Sequence, residues 1–510
     1  MAAIRCPQCG TEITNPAVEF CPNPDCGYPL SFAKPTEPEE PGPAMERRPL
    51  EKVEPPVVSP TPPVTPSPPP PPVPPPVPPQ PPSGSGANPG LLIAGAVAAV
   101  VVIGIVVAFA MGGGDDEVEA TAAPAARETQ GGGAATPEPE DVLAFARVSH
   151  DEEVFGGDGD QMMHRVAAGD GQLVAVGREG FAGSYDAALW TSSDGETWRQ
   201  VDADPAAVGG EGDQEMTAIT QTPEGYVIVG YDRTSVDENA AVWFYDGAVV
   251  TRIDPAQPAL GGPGMQAMTR VIAAEGRVLA VGTDGMTDPV APDAGVWESV
   301  DGTRWARITS EHFGGEGHQF MRTITPFGDG YVGAGDEASE TGFDAAVWTS
   351  TGTSFERVFG TSETFGGDGD QQIFSVTTFG RTVVAVGAAE GAAGVDATVW
   401  ISDDGITWER ISDPAVMGGP RYQLMFGATA ADDVLVAVGF DTSAGEEEDA
   451  AIWESTDLRT WRRSTIDASG GPGEQRLRSV AVFDGRVVAV GWDGSGGDLD
   501  AAVWSAPLPE

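Results

Sequence analysis

Positive charge is scarce in this chain, and lysine is almost missing. The 510 residues include 27 Lys or Arg against 77 Asp or Glu, a formal net charge of −50, and the only lysines are Lys34 and Lys52. So acidic a chain lacks the cationic surface that a phosphate backbone demands, which excludes nucleic acid as a partner. Cysteine is scarce too. All four cysteines lie before residue 27, so nothing beyond that point can form a disulfide or a thiolate metal site. Long apolar runs are absent except for one, at residues 91–111. The glycine-, proline- and arginine-biased composition suits a high-GC bacterial genome.

What the sequence has is a phrase repeated seven times. Gly-Gly opens a repeat at Gly156, Gly209, Gly261, Gly314, Gly366, Gly418 and Gly470, 52 or 53 residues apart. A glutamine follows five residues later in each: Gln161, Gln214, Gln266, Gln319, Gln371, Gln423 and Gln475. A third phrase ends on Trp190, Trp243, Trp297, Trp348, Trp400, Trp453 and Trp504. Each repeat holds short runs rich in Val, Ile and Trp, broken by Gly and Asp, which read as strands joined by tight turns. Asp170-Gly171 is a hairpin signal, because glycine accepts positive φ without steric cost. Four antiparallel strands in about 50 residues read as one propeller blade. The seventh repeat stops on its third strand at Trp504. Phe145-Ala146-Arg147-Val148 matches the fourth-strand phrases Trp198-Arg199-Gln200-Val201 and Trp408-Glu409-Arg410-Ile411. The expected fold is therefore all-β, a seven-bladed β-propeller over 141–510 whose N-terminal strand closes the last blade and removes its open edge.

The phrases at 192–198, 299–305 and 402–408 (SSDGETW, SVDGTRW, SDDGITW) resemble the Asp-box, or BNR, repeat, Ser-x-Asp-x-Gly-x-Thr-Trp. In that family the box is a hairpin between the third and fourth strands of a blade. The resemblance covers 141–510 and implies the propeller fold. Ser193 stands where the first box would carry its Asp, and Leu458 stands where the sixth would carry Gly.

The N-terminal part divides by composition. Cys6-x-x-Cys9 and Cys21-x₄-Cys26 form two knuckles, each followed by Gly. Four thiolates at this spacing suit a structural tetrahedral Zn²⁺, and residues 1–32 resemble the short zinc ribbons at the N-termini of many bacterial membrane proteins. So small a segment has little core, and structural zinc supplies on the order of 10 kcal/mol in such peptides. The alternative is two disulfides. Residues 33–90 are a proline-rich linker, with 23 prolines in the 48 positions 35–82. They are expected to be disordered, extended polyproline II. Residues 91–111 carry no charge and, as a helix, would span roughly 31 Å, the thickness of a bilayer core. They read as one transmembrane helix, followed by a disordered spacer at 112–140. Zinc thiolates favour a reducing compartment. The expected topology is therefore a cell-membrane protein with a cytoplasmic N-terminus and an extracytoplasmic propeller.

For function, residues 141–510 hold 61 acidic and 21 basic side chains. Loops after the second strands are acidic, as at Glu446-Glu447-Glu448-Asp449. Asp158-Gly-Asp160 and Asp368-Gly-Asp370 are candidate Ca²⁺ loops. Residues that break the repeat are the better functional candidates: His164, Glu215, Phe320 and Arg476 near the first strands, and His318, Arg421 and Tyr422 in the Gly-Gly loops. A glutamine or tryptophan present in every repeat reads as structural. The expectation is a surface-displayed propeller that binds an extracytoplasmic protein or glycan, with a cytosolic protein partner for the zinc ribbon, and not an enzyme. The alternatives are a sialidase-like glycoside hydrolase and a transmembrane sensor relaying to the ribbon. Sialidases need an arginine triad and a Tyr/Glu pair, and sequence alone assembles neither here.

Overall fold

The computed structural model describes residues 4–5, 12–13 and 143–509, apart from 235–237, 286–290, 316, 392, 446, 468–469 and 471. The four cysteines, the proline-rich linker, the apolar segment 91–111 and the spacer lie outside the described residues. No helix among the described residues is long and apolar enough to cross a membrane. The chain divides into two bodies, Met1–Ala94 and Gly95–Glu510. In the first, Ile4–Arg5 pairs antiparallel with Glu12–Ile13, Ile4 opposite Ile13, so this short ladder brackets the stretch that holds Cys6 and Cys9.

The second body is all-β and propeller-like. In repeat 1 the strands Asp160–Gly169, Gln172–Phe181, Ser184–Ser192 and Trp198–Gln200 form an antiparallel meander in chain order. The order recurs in the repeats that follow, with first strands Asp213–Thr222, Gln266–Ala274, Gln319–Phe327, Gln371–Phe379, Arg421–Ala431 and Gln475–Phe483. In repeat 7 the fourth strand is supplied from the N-terminal side. Ala144–Arg147 pairs antiparallel with Asp500–Pro507, Arg147 opposite Trp504, and its other edge meets Thr465–Ile466 of repeat 6 in parallel.

Local chemistry accounts for these elements. Asp170 (φ 50°) and Gly171 (φ 73°) both take left-handed backbone, the requirement of a two-residue hairpin between right-twisted strands. Asp194 accepts the amides of Glu196 at 2.9 Å and Thr197 at 2.6 Å, and Ser192 Oγ accepts that of Gly195 at 2.9 Å. Asp301 and Asp404 do the same in repeats 3 and 5. The carboxylate thus caps the turn one residue later than the Asp-box spacing places it. These backbone bonds hold Asp194 and Asp404 down at about 2. Two four-residue helices unforeseen in the sequence, Glu152–Phe155 and Pro205–Val208, precede the Gly-Gly phrases and are capped by Asp151 and Asp204.

The apolar core lies between repeats. Val174, Val176 and Leu189 of repeat 1 pack on Met216, Ile228 and Trp243 of repeat 2. Leu173 and Ala175 of repeat 1 also pack on Val488 and Val490 of repeat 7, so the first and last repeats share a core. Each tryptophan of the repeated phrase is fully buried. Its Nε1 donates to a carbonyl just before its own Gly-Gly phrase, as Trp190 does to Val154 at 2.8 Å and Trp400 to Thr364 at 2.7 Å. Fourth-strand arginines stack on these rings, Arg463 4.3 Å from the centre of Trp453 and Arg252 4.4 Å from that of Trp243. The repeated glutamines donate Nε2 to loop carbonyls, Gln266 to Pro263 at 2.8 Å and Gln214 to Glu211 at 3.2 Å. Tryptophan, arginine and glutamine therefore have structural roles, as repetition implies.

Candidate functional site

The first strands are the innermost and carry one irregularity in common. Each slips register by one residue against the second strand, leaving His164, Thr217, Thr269, Arg322, Phe374, Phe426 and Arg478 as the extra residue. Such bulges re-aim side chains. A glycine on the second strand makes each possible. A Cβ on Gly177, Gly230, Gly282, Gly335, Gly387, Gly439 or Gly491 would overlap the carbonyl oxygen two residues before the extra one. The inner strands of neighbours are stitched together at this level. Thr217 Oγ1 donates to the Met268 carbonyl at 2.6 Å, Thr323 Oγ1 accepts from the Val376 amide at 3.1 Å, and Ser479 Oγ accepts from the Val166 amide at 3.2 Å.

Around the bulges sits a charged cluster, in a body otherwise strongly acidic. Glu215, 1% exposed, accepts Arg178 Nη1 and the Tyr231 hydroxyl, each at 2.6 Å on Oε2. His164 Nε2 lies 3.3 Å from Glu215 Oε1 without hydrogen-bond geometry, its ring edge-on to Trp492. Arg178 also stacks 4.0 Å above the Tyr185 ring, whose hydroxyl donates to Asp160 at 2.7 Å. Burial opposes the charge on Glu215, but Arg178 and the hydrogen bond from Tyr231 outweigh it and hold the carboxyl below its ordinary value. Burial, against the pull of Glu215, drives His164 down to about 3, so it is neutral. The Tyr231 phenol is pushed well up by burial and then by the Glu215 charge. Arg322 pairs with Asp336, and Arg476 with Glu448.

Three more arginines have no such partner. Arg165, Arg270 and Arg478 make no ion pair among the described residues, and Arg165 Nε and Arg270 Nη1 are buried without any hydrogen-bond partner. Burial lowers Arg270 to about 10 and Arg478 to about 9. Arg165 falls well below its ordinary value through burial and the nearby charges of Arg270 and Arg478.

Of the candidates singled out in the sequence, His164, Glu215 and Arg476 belong to this inner cluster. Phe320 lies beside it, 5.6 Å from the stacked His318 ring. Arg421 and Tyr422 are exposed on the rim. Arg165, Arg178, Tyr231, Arg270, Arg322 and Arg478 were missed. For Arg165 and Arg270 the signal was the residue after each bulge, which reads Arg, Ala, Arg, Thr, Ser, Gly and Ser through the repeats. The acidic 446–449 loop is not uniformly a solvated rim. Glu448 turns inward and is 6% exposed against Arg476. Of the suggested calcium loops, Asp160 accepts the Leu499 amide at 3.3 Å as well as the Tyr185 hydroxyl, and Asp370 accepts the Phe343 amide at 3.0 Å. Both carboxylates thus hold neighbouring repeats together. A separate trio, His150, Glu152 and Asp500, brings one nitrogen and two carboxylate oxygens within 4.8 Å of one another on the surface. A cavity of about 320 Å³ lies away from the inner cluster, against the outer strands of repeat 1, lined by Glu153, Glu179, Leu189 and Gln200.

No protein-family model matches the chain, and no curated protein does. Solved structures do. A Trypanosoma rangeli sialidase in complex with sialic acid is 13% identical with a TM-score of 0.37, over 71% of this chain and 57% of that one. This chain thus spans little more than half the sialidase's length. A mutant alpha-L-arabinofuranosidase of Fusarium graminearum, in complex with an iminosugar inhibitor, is 12% identical with a TM-score of 0.38, over 71% and 97%. The β-propeller domain of the trilobed protease of Pyrococcus furiosus is 12% identical with a TM-score of 0.37, over 68% and 96%. Likenesses this distant assign no residue and no substrate. The expectation that the chain is not an enzyme is nevertheless corrected. It rested on the failure to assemble arginines and a Tyr/Glu pair, and folding brings Tyr231, Glu215 and Arg178 into contact. The chains it resembles in outline include named glycosidases.

Proposed function

We propose that the chain is a cell-surface glycoside hydrolase of sialidase-like type, acting on an acidic glycan at the inner end of its first strands. The observation that carries this reading is the Tyr231–Glu215–Arg178 contact at 2.6 Å, set beside His164 and flanked by arginines without carboxylate partners. A carboxylate bonded to a phenol has the geometry of a base–nucleophile pair, with Glu215 placed to accept the proton that Tyr231 must lose in order to attack; in the unliganded chain the low carboxyl and high phenol keep that proton on Tyr231. Cationic groups beside it favour a substrate that carries acid groups. The repeats are read as seven blades in a closed ring, a reading supported by the core shared between repeats 1 and 7 and by the pairing of Ala144–Arg147 with Asp500–Pro507. We further propose that residues 91–111 anchor the chain with the propeller outside. Cys6, Cys9, Cys21 and Cys26 would hold a structural Zn²⁺ inside, a reading supported by the ladder bracketing the first knuckle.

A second reading has an observation of its own. Tyr231 and Glu215 are 0% and 1% exposed, so a ligand held at the rim does not reach them in this conformation. A glycan-capturing propeller fits that geometry. Turnover separates the two. The full-length chain is incubated with matched acidic and neutral oligosaccharides, and released reducing ends are measured. Hydrolysis of the acidic set, reduced at least about a hundredfold in Glu215→Gln and in Tyr231→Phe, supports the first reading. Binding without release, or release unchanged in both variants, rejects it.

A further inference from the structure

We propose that the cavity at the outer edge of repeat 1 is a binding site for a guanidinium group carried by a ligand. The other repeats show what this place is built to hold. The fourth-strand residue opposite the repeated tryptophan is Arg252, Arg307, Arg357, Arg410, Arg463 and Arg147 in repeats 2 to 7. In repeat 1 it is Gln200. The second-strand residue opposite the repeated glutamine is Glu179 in repeat 1, and Asp232, Asp284, Glu337, Asp441 and Asp493 in repeats 2, 3, 4, 6 and 7. Wherever arginine and acid are both present, they form an ion pair. Repeat 5 keeps the arginine and carries Ala389 in place of the acid. Repeat 1 alone keeps the acid without the arginine. Glu179 makes no ion pair among the described residues, and accepts only the uncharged Gln200 Nε2, at 2.6 Å. Arg199, one residue earlier on the strand, points to the opposite side and is exposed.

Glutamine is shorter than arginine, and a cavity of about 320 Å³ lies beside it. Its walls correspond to the groups that the arginines touch elsewhere. Arg307 donates to the carbonyls of Pro258 at 2.6 Å and Gly261 at 3.0 Å, in the loop that ends on the Gly-Gly phrase of its own repeat. Arg410 and Arg463 donate to Gly366 and Val416 in the same loop of theirs. Pro258 stands three residues before its Gly-Gly phrase, and Glu153 holds that place in repeat 1. Glu153 lines the cavity together with Glu179 and Gln200. A guanidinium entering here meets the Glu179 carboxylate on one side and the loop on the other. Leu189, Val201 and Val208 line the rest and suit an aliphatic stem.

The lining selects the ligand. Carboxylates at Glu153, Glu179 and Asp202 repel an anion. An ammonium is a compact point charge, whereas guanidinium is a planar fork that bonds a carboxylate and a loop carbonyl at once. The surrounding body, with 61 acidic and 21 basic side chains, draws cations towards it. The site does not include Tyr231 or Glu215 and does not depend on whether a glycosidic bond is cleaved.

The test uses the full-length chain in detergent and calorimetric titration with ethylguanidinium, ethylammonium, and two capped pentapeptides of glycine with a central arginine or lysine, at ionic strength held constant with sodium chloride. The expected result is saturable binding of a guanidinium probe, at least tenfold tighter than its ammonium counterpart and weakened at least tenfold in Glu179→Gln. Tighter binding of the arginine peptide would identify the source as a polypeptide side chain, and tighter binding of ethylguanidinium would identify a small free guanidino compound. Gln200→Arg gives a second readout in a variant that restores the residue of the other six repeats. Its own side chain is expected to fill the cavity, abolish probe binding and raise the thermal unfolding midpoint. No saturable heat, ammonium bound as tightly as guanidinium, or guanidinium affinity unchanged in Gln200→Arg would overturn the proposal.

Discussion

Glu215 is a buried carboxylate at the centre of the inner cluster. It neutralises Arg178, accepts the Tyr231 hydroxyl and faces His164. Removing one partner of a buried ion pair leaves the other charge unsolvated, which typically costs about 3–5 kcal/mol. Glu215→Ala is expected to destabilise the propeller by that amount in urea unfolding, whereas Arg165→Leu, which removes an unpaired charge, is expected to be neutral or stabilising in anion-free buffer. His164 acts through pH. Its folded value of about 3 lies below its ordinary 6.5, so the unfolded chain binds the extra proton first. The neutral imidazole's contribution is complete above pH 6.5 and declines as pH falls towards 3, with a limiting slope of about 1.4 kcal/mol per pH unit. His164→Phe, the residue that repeats 5 and 6 carry at this position, is expected to flatten that part of the stability–pH curve, measured by denaturant titration from pH 7 to pH 4. His164 and Glu215 were legible in the sequence because each breaks a repeated pattern. Tyr231 and Arg178 were not, since they sit on second strands: pairing brings Tyr231 opposite Glu215, and Arg178, opposite Met162, reaches Glu215 from the neighbouring repeat.

At the scale of the element, the inner strand and its glycine form one device. The bulge pushes a carbonyl towards the second strand, and only a residue without Cβ fits opposite it. Gly387→Ala is expected to cost about 3 kcal/mol, by overlap of the new methyl with the Gln372 carbonyl. Gly445→Ala, on a loop with only the Glu447 amide nearby at 4.0 Å, is expected to stay within about 0.5 kcal/mol. Thermal or urea unfolding of both variants checks the contrast. Strands and hairpins were legible because alternation and Asp-Gly turns are local signals. Closure by Ala144–Arg147 was legible because Phe145 and Arg147 repeat the fourth-strand phrase. The bulge was not, since inserting one residue in every repeat leaves the period unchanged. It therefore hid Arg165 and Arg270, whose side chains a regular alternation would assign to the packed faces. Leu458 shows the reverse case. It takes φ 64° where the equivalent Gly195 takes 75°, and keeps the turn although glycine is missing.

At the scale of the molecule, charge is sorted by depth. An acidic body gathers arginines on its inner strands, three of them without carboxylate partners, and leaves carboxylates to cap turns and join repeats. That distribution, more than net charge, points to where an acidic ligand would settle, and composition alone concealed it. The central claim is that ligand chemistry happens on the inner strands rather than at the rim. Photo-crosslinking the full-length chain with a diazirine-bearing acidic oligosaccharide, followed by peptide mapping, tests it most directly. The expected adducts fall in Asp160–Gly169, Asp213–Thr222 and Gln475–Phe483 and disappear when unlabelled ligand is added in excess. Adducts confined to the loops at 181–184, 339–342 and 442–448, or to the fourth strands, would contradict it.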